Sequence, residues 1–259
     1  MNTKSKSVRV IWSLKSGDLN EKQASLIKTA DVDGVRVGYS SGTKQEALNF
    51  LETLKANYKD LASMPFVMLD VTPPARGKVV GLEEERVLET NDNVSIAING
   101  SDVEADFYVD SDNWDKLFVA DATIFFGYGD AVLKILNISE EIVYAEVLSG
   151  GTLKPNMELH VPETRKNSNF NFGKLEFEKF NKLGVNGIVL PGNISEAQAK
   201  EVRDSLPSNL SSSPLLIYRI DSETAVSKLK NMIKFVDGVI ISRRELALTA
   251  NPSMVPILT

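Results

Sequence analysis

The sequence predicts an α/β fold, a parallel sheet flanked by helices and interrupted once by a small all-β domain. Three observations predict it. From Val8 to Val71, strand-like and helix-like segments alternate. From Lys78 to about Thr164 no good helix is readable, and short β runs follow one another between turn signals. From Leu175 onward the alternation resumes and ends in a strand, helix and strand between Leu215 and Leu248. Alternating strands and helices argue a parallel sheet with right-handed crossovers, and a run of short strands argues a small barrel or sandwich.

In order, Val8 to Leu14 is the first strand candidate, closed by Lys15-Ser16-Gly17. Glu21 to Thr29 reads as a helix capped by Asp18 or Asn20. Gly34 to Tyr39 is a strand with Arg36 inside it and Ser40-Ser41-Gly42 beyond. Lys44 to Tyr58 is an amphipathic helix, with Ala47, Leu48, Leu51, Leu54 and Tyr58 at helical spacing. Phe66 to Val71 is a third strand with Asp70 near its end, stopped by Thr72-Pro73-Pro74.

The β runs that interrupt this rhythm are Arg86 to Glu89, Ser95 to Asn99, Asp106 to Val109, Ala122 to Phe126, Ala131 to Ile138 and Ile142 to Leu148. Turn residues separate them, as in Gly127-Tyr128-Gly129-Asp130 and Ser149-Gly150-Gly151. Leu175 to Leu183 is then helical, Gly187 to Leu190 a strand, and Ser195 to Leu206 a capped helix. A polar linker, Pro207 to Pro214, leads to the apolar run Leu215 to Ile220, broken only by Arg219. Asp221 follows it. Ala225 to Phe235 reads as a helix, and Val239 to Ile241 as a strand that ends in Ser242-Arg243-Arg244-Glu245. In α/β folds a ligand sits beyond the carboxyl ends of the strands. Asp221 and Glu245 are therefore expected at one mouth, where two carboxylates suit a hard cation such as magnesium.

Composition narrows the function. The chain of 259 residues has a net charge of −6, which gives no basic footprint for nucleic acid. It has no cysteine, which excludes disulfides, zinc thiolates and thiol nucleophiles. MNTKSKSVRV lacks the apolar stretch of a signal peptide, and no apolar run approaches membrane-spanning length. A soluble cytoplasmic protein is the expectation.

Several stretches together resemble the pyruvate kinase family. Val35-Arg36-Val37-Gly38-Tyr39-Ser40-Ser41-Gly42-Thr43 resembles its A-R-L-N-F-S-H-G-T, and Met68-Leu69-Asp70-Val71 its L-L-D-T. Val147-Leu148-Ser149-Gly150-Gly151-Thr152-Leu153 resembles V-x-N-G-G-x-L. Ile217-Tyr218-Arg219-Ile220-Asp221 falls on I-x-K-I-E, and Asp237 to Leu246 on D-G-I-M-V-A-R-G-D-L. The resemblance implies an incomplete (βα)8 TIM-type barrel of about six parallel strands with an inserted small all-β lid domain. Its expected bounds are 1–76 and 165–259 for the barrel and 77–164 for the lid. The last two barrel strands and the regulatory domain of that family have no counterpart here. Six strands do not close an eight-stranded barrel, so a homo- or hetero-oligomer is expected to cover the edges.

The same resemblance assigns site residues. Arg219 stands in place of the family's phosphate-binding lysine and is the catalytic candidate. Arg36, Arg76 and Arg244 are the substrate-binding candidates. Asp221 and Glu245 replace a glutamate and an aspartate that hold the divalent cation, magnesium. Ser40 and Asp70 match half of the potassium set, while Gly38 and Val71 do not; that makes potassium doubtful. The lid's acidic pair is replaced by Gly127-Tyr128-Gly129, and Arg244 stands where the family has glycine. An arginine keeps a lysine's charge but not its compact geometry. These departures favour a degenerate site: a binding, regulatory or assembly protein without pyruvate kinase turnover that takes a small oxyanion such as phosphoenolpyruvate or pyruvate. The alternative is an active magnesium-dependent phosphotransferase or enolate-type enzyme on the same ligands. Arg219 has a second reading, a buried pair with Asp221 or Glu245. His160, Trp12 and Trp114 read as structural, and Glu83-Glu84-Glu85 as a solvated face.

Overall fold

A computed structural model describes residues 8–14, 18–39, 44–71, 76–111, 114–127, 129–162, 176–206 and 213–249, with the side chains of 76, 115 and 116 excepted. The chain divides into two compact units. One comprises residues 1–73, 170–220 and 224–241; the other comprises 74–169, 221–223 and 242–259.

The first unit holds six strands: β1 (Ile11–Leu14), β2 (Gly34–Gly38), β3 (Phe66–Asp70), β13 (Val185–Leu190), β14 (Leu215–Ile220) and β15 (Gly238–Ile241). They lie side by side in that order, every neighbouring pair parallel. Helices α1 (Glu21–Ala30), α2 (Lys44–Ala56), α4 (Phe177–Lys182), α5 (Glu196–Ser205) and α6 (Glu223–Met232) make the crossovers. The helix ends are set locally. Asn20 caps α1 through Gln23 N, and Ser195 forms a capping box with Gln198 at the start of α5.

Strand alternation sends Val35, Val37, Val67, Leu69, Leu216, Tyr218 and Ile220 into one core with Ala24, Ile27, Leu51, Leu54, Phe180 and Val202 of the helices. Met68, Val189 and Ile217 form a smaller cluster on the opposite face, with Phe66 and Ile240 against it. Tyr218 is fully buried, and its hydroxyl donates to Gly192 O at 2.8 Å and Ala225 O at 3.2 Å, fixing the loop after β13 and the start of α6.

The incomplete TIM-type barrel with a lid expected from the sequence is not what forms. The six parallel strands make an open sheet, with β1 at one edge and β15 at the other. Closure would need those two edge strands to pair with each other at a fixed stagger, and among the described residues each pairs on one side only. The helices of this unit pack on one face of the sheet, and on its other face the described residues include a small buried apolar cluster. The edges carry exposed apolar residues, Val10 and Ile11 near β1 and Val239 and Ile241 in β15.

The second unit is built on a closed seven-stranded barrel, which corrects the picture of a simple lid. Its strands are β4 (Arg76–Val80), β6 (Asn93–Ile98), β7 (Phe107–Asp110), β8 (Thr123–Phe126), β9 (Ala131–Ile138), β10 (Ile142–Ser149) and β12 (Glu158–His160), in the cyclic order β10-β6-β7-β4-β12-β8-β9. The β6–β7 pair is parallel and the other pairs are antiparallel. Alternate residues point inward, among them Val94, Ile96, Phe107, Val109, Ile124, Phe126, Leu133, Ile135, Val143 and Val147. Strands β5 (Arg86–Leu88) and β11 (Gly151–Leu153) form a separate antiparallel pair.

A short helix interrupts the all-β reading. It is α3 (Trp114–Leu117), where Trp114 is buried edge-to-face on Phe118 and donates from Nε1 to Glu140 O at 3.1 Å. The Ser149-Gly150-Gly151 turn has a packing reason. A Cβ on Gly151 would lie 1.7 Å from Asp130 O, and one on Gly150 would lie 2.6 Å from Leu88 O. Among the described residues no helix is long and apolar enough to cross a membrane.

Candidate functional site

The residues that converge in the first unit are Arg36, Asp70 and Arg219. Arg36 lies in β2 between Val35 and Val37, which face the helices, so it projects from the opposite face. Asp70 ends β3, two residues past Met68, the partner of Arg36 in the ladder. It pairs with Gly38 on one side and Val189 on the other. Arg219 lies in β14 between Tyr218 and Ile220, both of which face the helices. Alternation therefore sends all three charged side chains to the face opposite the helices.

The geometry joins them at one oxygen. Arg219 Nη1 donates to Asp70 Oδ2 at 3.0 Å, and Arg36 Nε stands 3.7 Å from the same atom. Strand β13 lies between β3 and β14. Two inter-strand spacings are about 9.6 Å, a span that an extended guanidinium and a carboxylate cover between them. The Arg219 and Asp70 side chains are 5% and 9% exposed, whereas that of Arg36 is 27% exposed. The end of β3 is fixed by its backbone, with Tyr39 N on Asp70 O at 2.8 Å and Val71 N on Val189 O at 3.1 Å. Asp70 is thus a buried carboxylate shared by one buried arginine and one that reaches solvent.

The other sequence candidates are placed as follows. Asp221 directly follows β14 and is buried. Glu245 is partly buried in the first turn of α7 (Arg243–Thr249), and Arg244 beside it is exposed. These three belong to the second unit. Arg76 opens β4, paired with His160, and its side chain lies outside the described residues, as does all of Ser40. Among the described residues no three His, Asp or Glu side chains group as a metal site.

Sequence reasoning missed two things here. It did not weigh Asp70 as a partner of Arg219, and within the first unit Arg219 bonds it. It also passed over Tyr39, Lys44 and Glu176. Tyr39 is buried edge-on against Phe180, and its hydroxyl has no close hydrogen-bond partner among the described residues. Burial pushes that hydroxyl above its ordinary pKa, against the pull of Lys44. Lys44 Nζ stands 6.0 Å from the Tyr39 ring centre and bonds Glu176 Oε1 at 3.3 Å, and the Glu176 carboxylate holds the Lys44 ammonium above its ordinary pKa. The signal available in sequence was a tyrosine directly past a strand, with a lysine opening the next helix.

The first unit is an open parallel sheet with an arginine–carboxylate cluster on the face opposite its helices, the second a closed β-barrel, and no protein-family model matches the chain. It is similar to the pyruvate kinase of Clostridium perfringens, at 23% identity over 239 residues, covering 88% of this chain. The chain spans about half the length of that relative, 49% of it. This supports a pyruvate-kinase-related sequence at that level and no finer.

Proposed function

We propose that the chain is a pyruvate-kinase-like protein that binds a small oxyanion, of the phosphoenolpyruvate or pyruvate kind, without pyruvate kinase turnover. The observation that carries this is the division of labour at Asp70. Arg219 is buried and donates to the carboxylate. Arg36 stands at 3.7 Å from it, beyond hydrogen-bond length, with its side chain 27% exposed. A guanidinium carries five N–H donors in a fixed fork that matches phosphate and carboxylate oxygens. Arg36 therefore has donors to offer an incoming oxyanion.

The missing turnover rests on Arg219. A residue that must follow charge as it develops on a transferring phosphoryl group acts through donors aimed at that group. Arg219 points a donor at a fixed carboxylate instead. Asp221 and Glu245 stand where the resemblance puts a magnesium-holding pair; that match is what favours the alternative, an active magnesium-dependent phosphotransferase.

A lactate-dehydrogenase-coupled assay with phosphoenolpyruvate, ADP, magnesium and potassium separates the two. No turnover above the rate without protein is expected. Robust turnover that Arg219→Ala abolishes would establish the enzyme instead.

A further inference from the structure

We propose that Arg219 serves as a built-in counter-cation for Asp70, so that oxyanion binding at Arg36 needs no added metal cation. This rests on the oxyanion reading above and adds how its charge is balanced. The resemblance drawn from sequence places Asp70 in a potassium set, and the residues present do not fit that ion. Gly38 and Val71 bring no side-chain oxygen to it. Asp70 Oδ2 already accepts from Arg219 Nη1 at 3.0 Å, with Arg36 Nε at 3.7 Å. A cation at that oxygen would displace a buried guanidinium and sit beside a second one, and like charges at such distances repel strongly away from bulk water.

The charge count leads to the same place. Arg36 and Arg219 bring two positive charges to the one carboxylate of Asp70. Arg219 differs from a diffusible ion in being covalently held and already desolvated, so its charge is present in every molecule at any salt composition. The occupant is a small oxyanion that Arg36 receives on its exposed side. Asp70, in this role, is a positioning residue: it orients Arg36 and competes weakly with the ligand for it.

The test is calorimetric titration with inorganic phosphate of the full chain in tetramethylammonium chloride with a chelator, then with potassium or magnesium chloride at equal ionic strength. The affinity is expected to agree within about twofold in all three salts, since surface screening is matched. Arg36→Gln is expected to weaken it about tenfold or more, as a charge-assisted contact is lost. In Arg219→Met, with a folded state verified by circular dichroism, Asp70 loses its counter-cation and draws on Arg36, so phosphate affinity is expected to fall about tenfold in all three salts; an unchanged affinity would overturn the counter-cation role. If that variant does not fold, the salt comparison on the unaltered chain decides alone. Phosphate binding that appears only with potassium or magnesium would overturn the built-in counter-cation and leave the oxyanion reading standing. No binding in any salt would overturn the oxyanion reading itself, and binding unaffected by Arg36→Gln would place phosphate elsewhere and overturn both.

Discussion

Arg219 Nη1 and Asp70 Oδ2 lie 3.0 Å apart, across an intervening strand and 149 positions of sequence. Both side chains are at least nine-tenths buried. Replacing a buried pair by well-packed apolar groups is often neutral, but removing one member leaves an uncompensated charge. The relationship is therefore asymmetric: the pair adds little in net terms, while each half depends on the other.

Asp70→Ala is accordingly expected to destabilise the first unit by about 1–3 kcal/mol, because the buried Arg219 loses the acceptor at its Nη1. The double variant Asp70→Leu with Arg219→Met is expected to recover most of that loss. Urea unfolding followed by far-ultraviolet circular dichroism checks it. A double variant no more stable than Asp70→Ala would mean that the loss comes from the strand end and not from the stranded charge.

Tyr218→Phe tests the bracing of the loop that follows β13. The hydroxyl sits between Gly192 O and Ala225 O in a fully buried position. Its removal keeps the ring's packing but takes the donor from two carbonyls, at a cost of about 1–3 kcal/mol. Faster hydrogen exchange at residues 192–195 and at the start of α6 is the expected local signature. Unchanged exchange there would assign the hydroxyl no bracing role.

Much of the element order was legible because it depends on local pattern. Lys44 to Ala56 is helical, as the spacing of Ala47, Leu48, Leu51 and Leu54 says. The strands around Arg36, Asp70 and Arg219 fall where the apolar runs place them. What was not legible is tertiary. That six strands fall short of an eight-stranded barrel was expected; that β1 and β15 end as the two edges of one sheet is set by packing that the residues of neither strand encode. Residues Arg243 to Glu245 look like polar residues past a strand, yet they open a helix that runs to Thr249 with a single buried side chain, Leu246. Strands β11 and β12 are three residues each, too short for alternation to show. The Arg219–Asp70 bond was hidden for a different reason: alternation tells which face a side chain takes, not which of several acids on that face it reaches.

Gly151→Ala should injure the β-barrel unit. The added Cβ would meet Asp130 O at 1.7 Å, and backbone cannot move aside as a side-chain tip can. Overpacking of this kind costs about 1–3 kcal/mol or more. Gly238→Ala is the control, since a Cβ there meets nothing within 4 Å. It should be neutral or slightly stabilising, as alanine has less chain entropy to lose. Equal losses in the two variants would remove the packing explanation for the Ser149-Gly150-Gly151 turn.

The last prediction concerns acid stability of the β-barrel unit, through Asp106. Burial pushes the Asp106 carboxyl up, but bonds from Ser95 and the Arg86 guanidinium outweigh it, and the net position is below the ordinary carboxylate value. Ser95 N and Oγ donate to Oδ2 at 2.7 and 2.8 Å, and Arg86 Nη2 donates to Oδ1 at 2.6 Å. Arg86 Nη1 also bonds the Asp106 carbonyl, so the same cluster ties β5 to the chain entering β7. A carboxylate with a depressed folded pKa binds fewer protons in the folded state. Its stabilisation is present above the unfolded value of about 3.9 and is lost as pH falls from there through the folded value. The unit should therefore weaken below about pH 4, beyond what its other carboxylates contribute. Asp106→Asn removes the charge at every pH, so it should be less stable than the unaltered chain at pH 7 and converge with it in acid. Urea midpoints from pH 7 to 3, followed by Trp114 fluorescence in a Trp12→Phe background, give the comparison. Two curves that stay parallel down to pH 3 would show that Asp106 and its partners contribute nothing to the pH dependence of this unit.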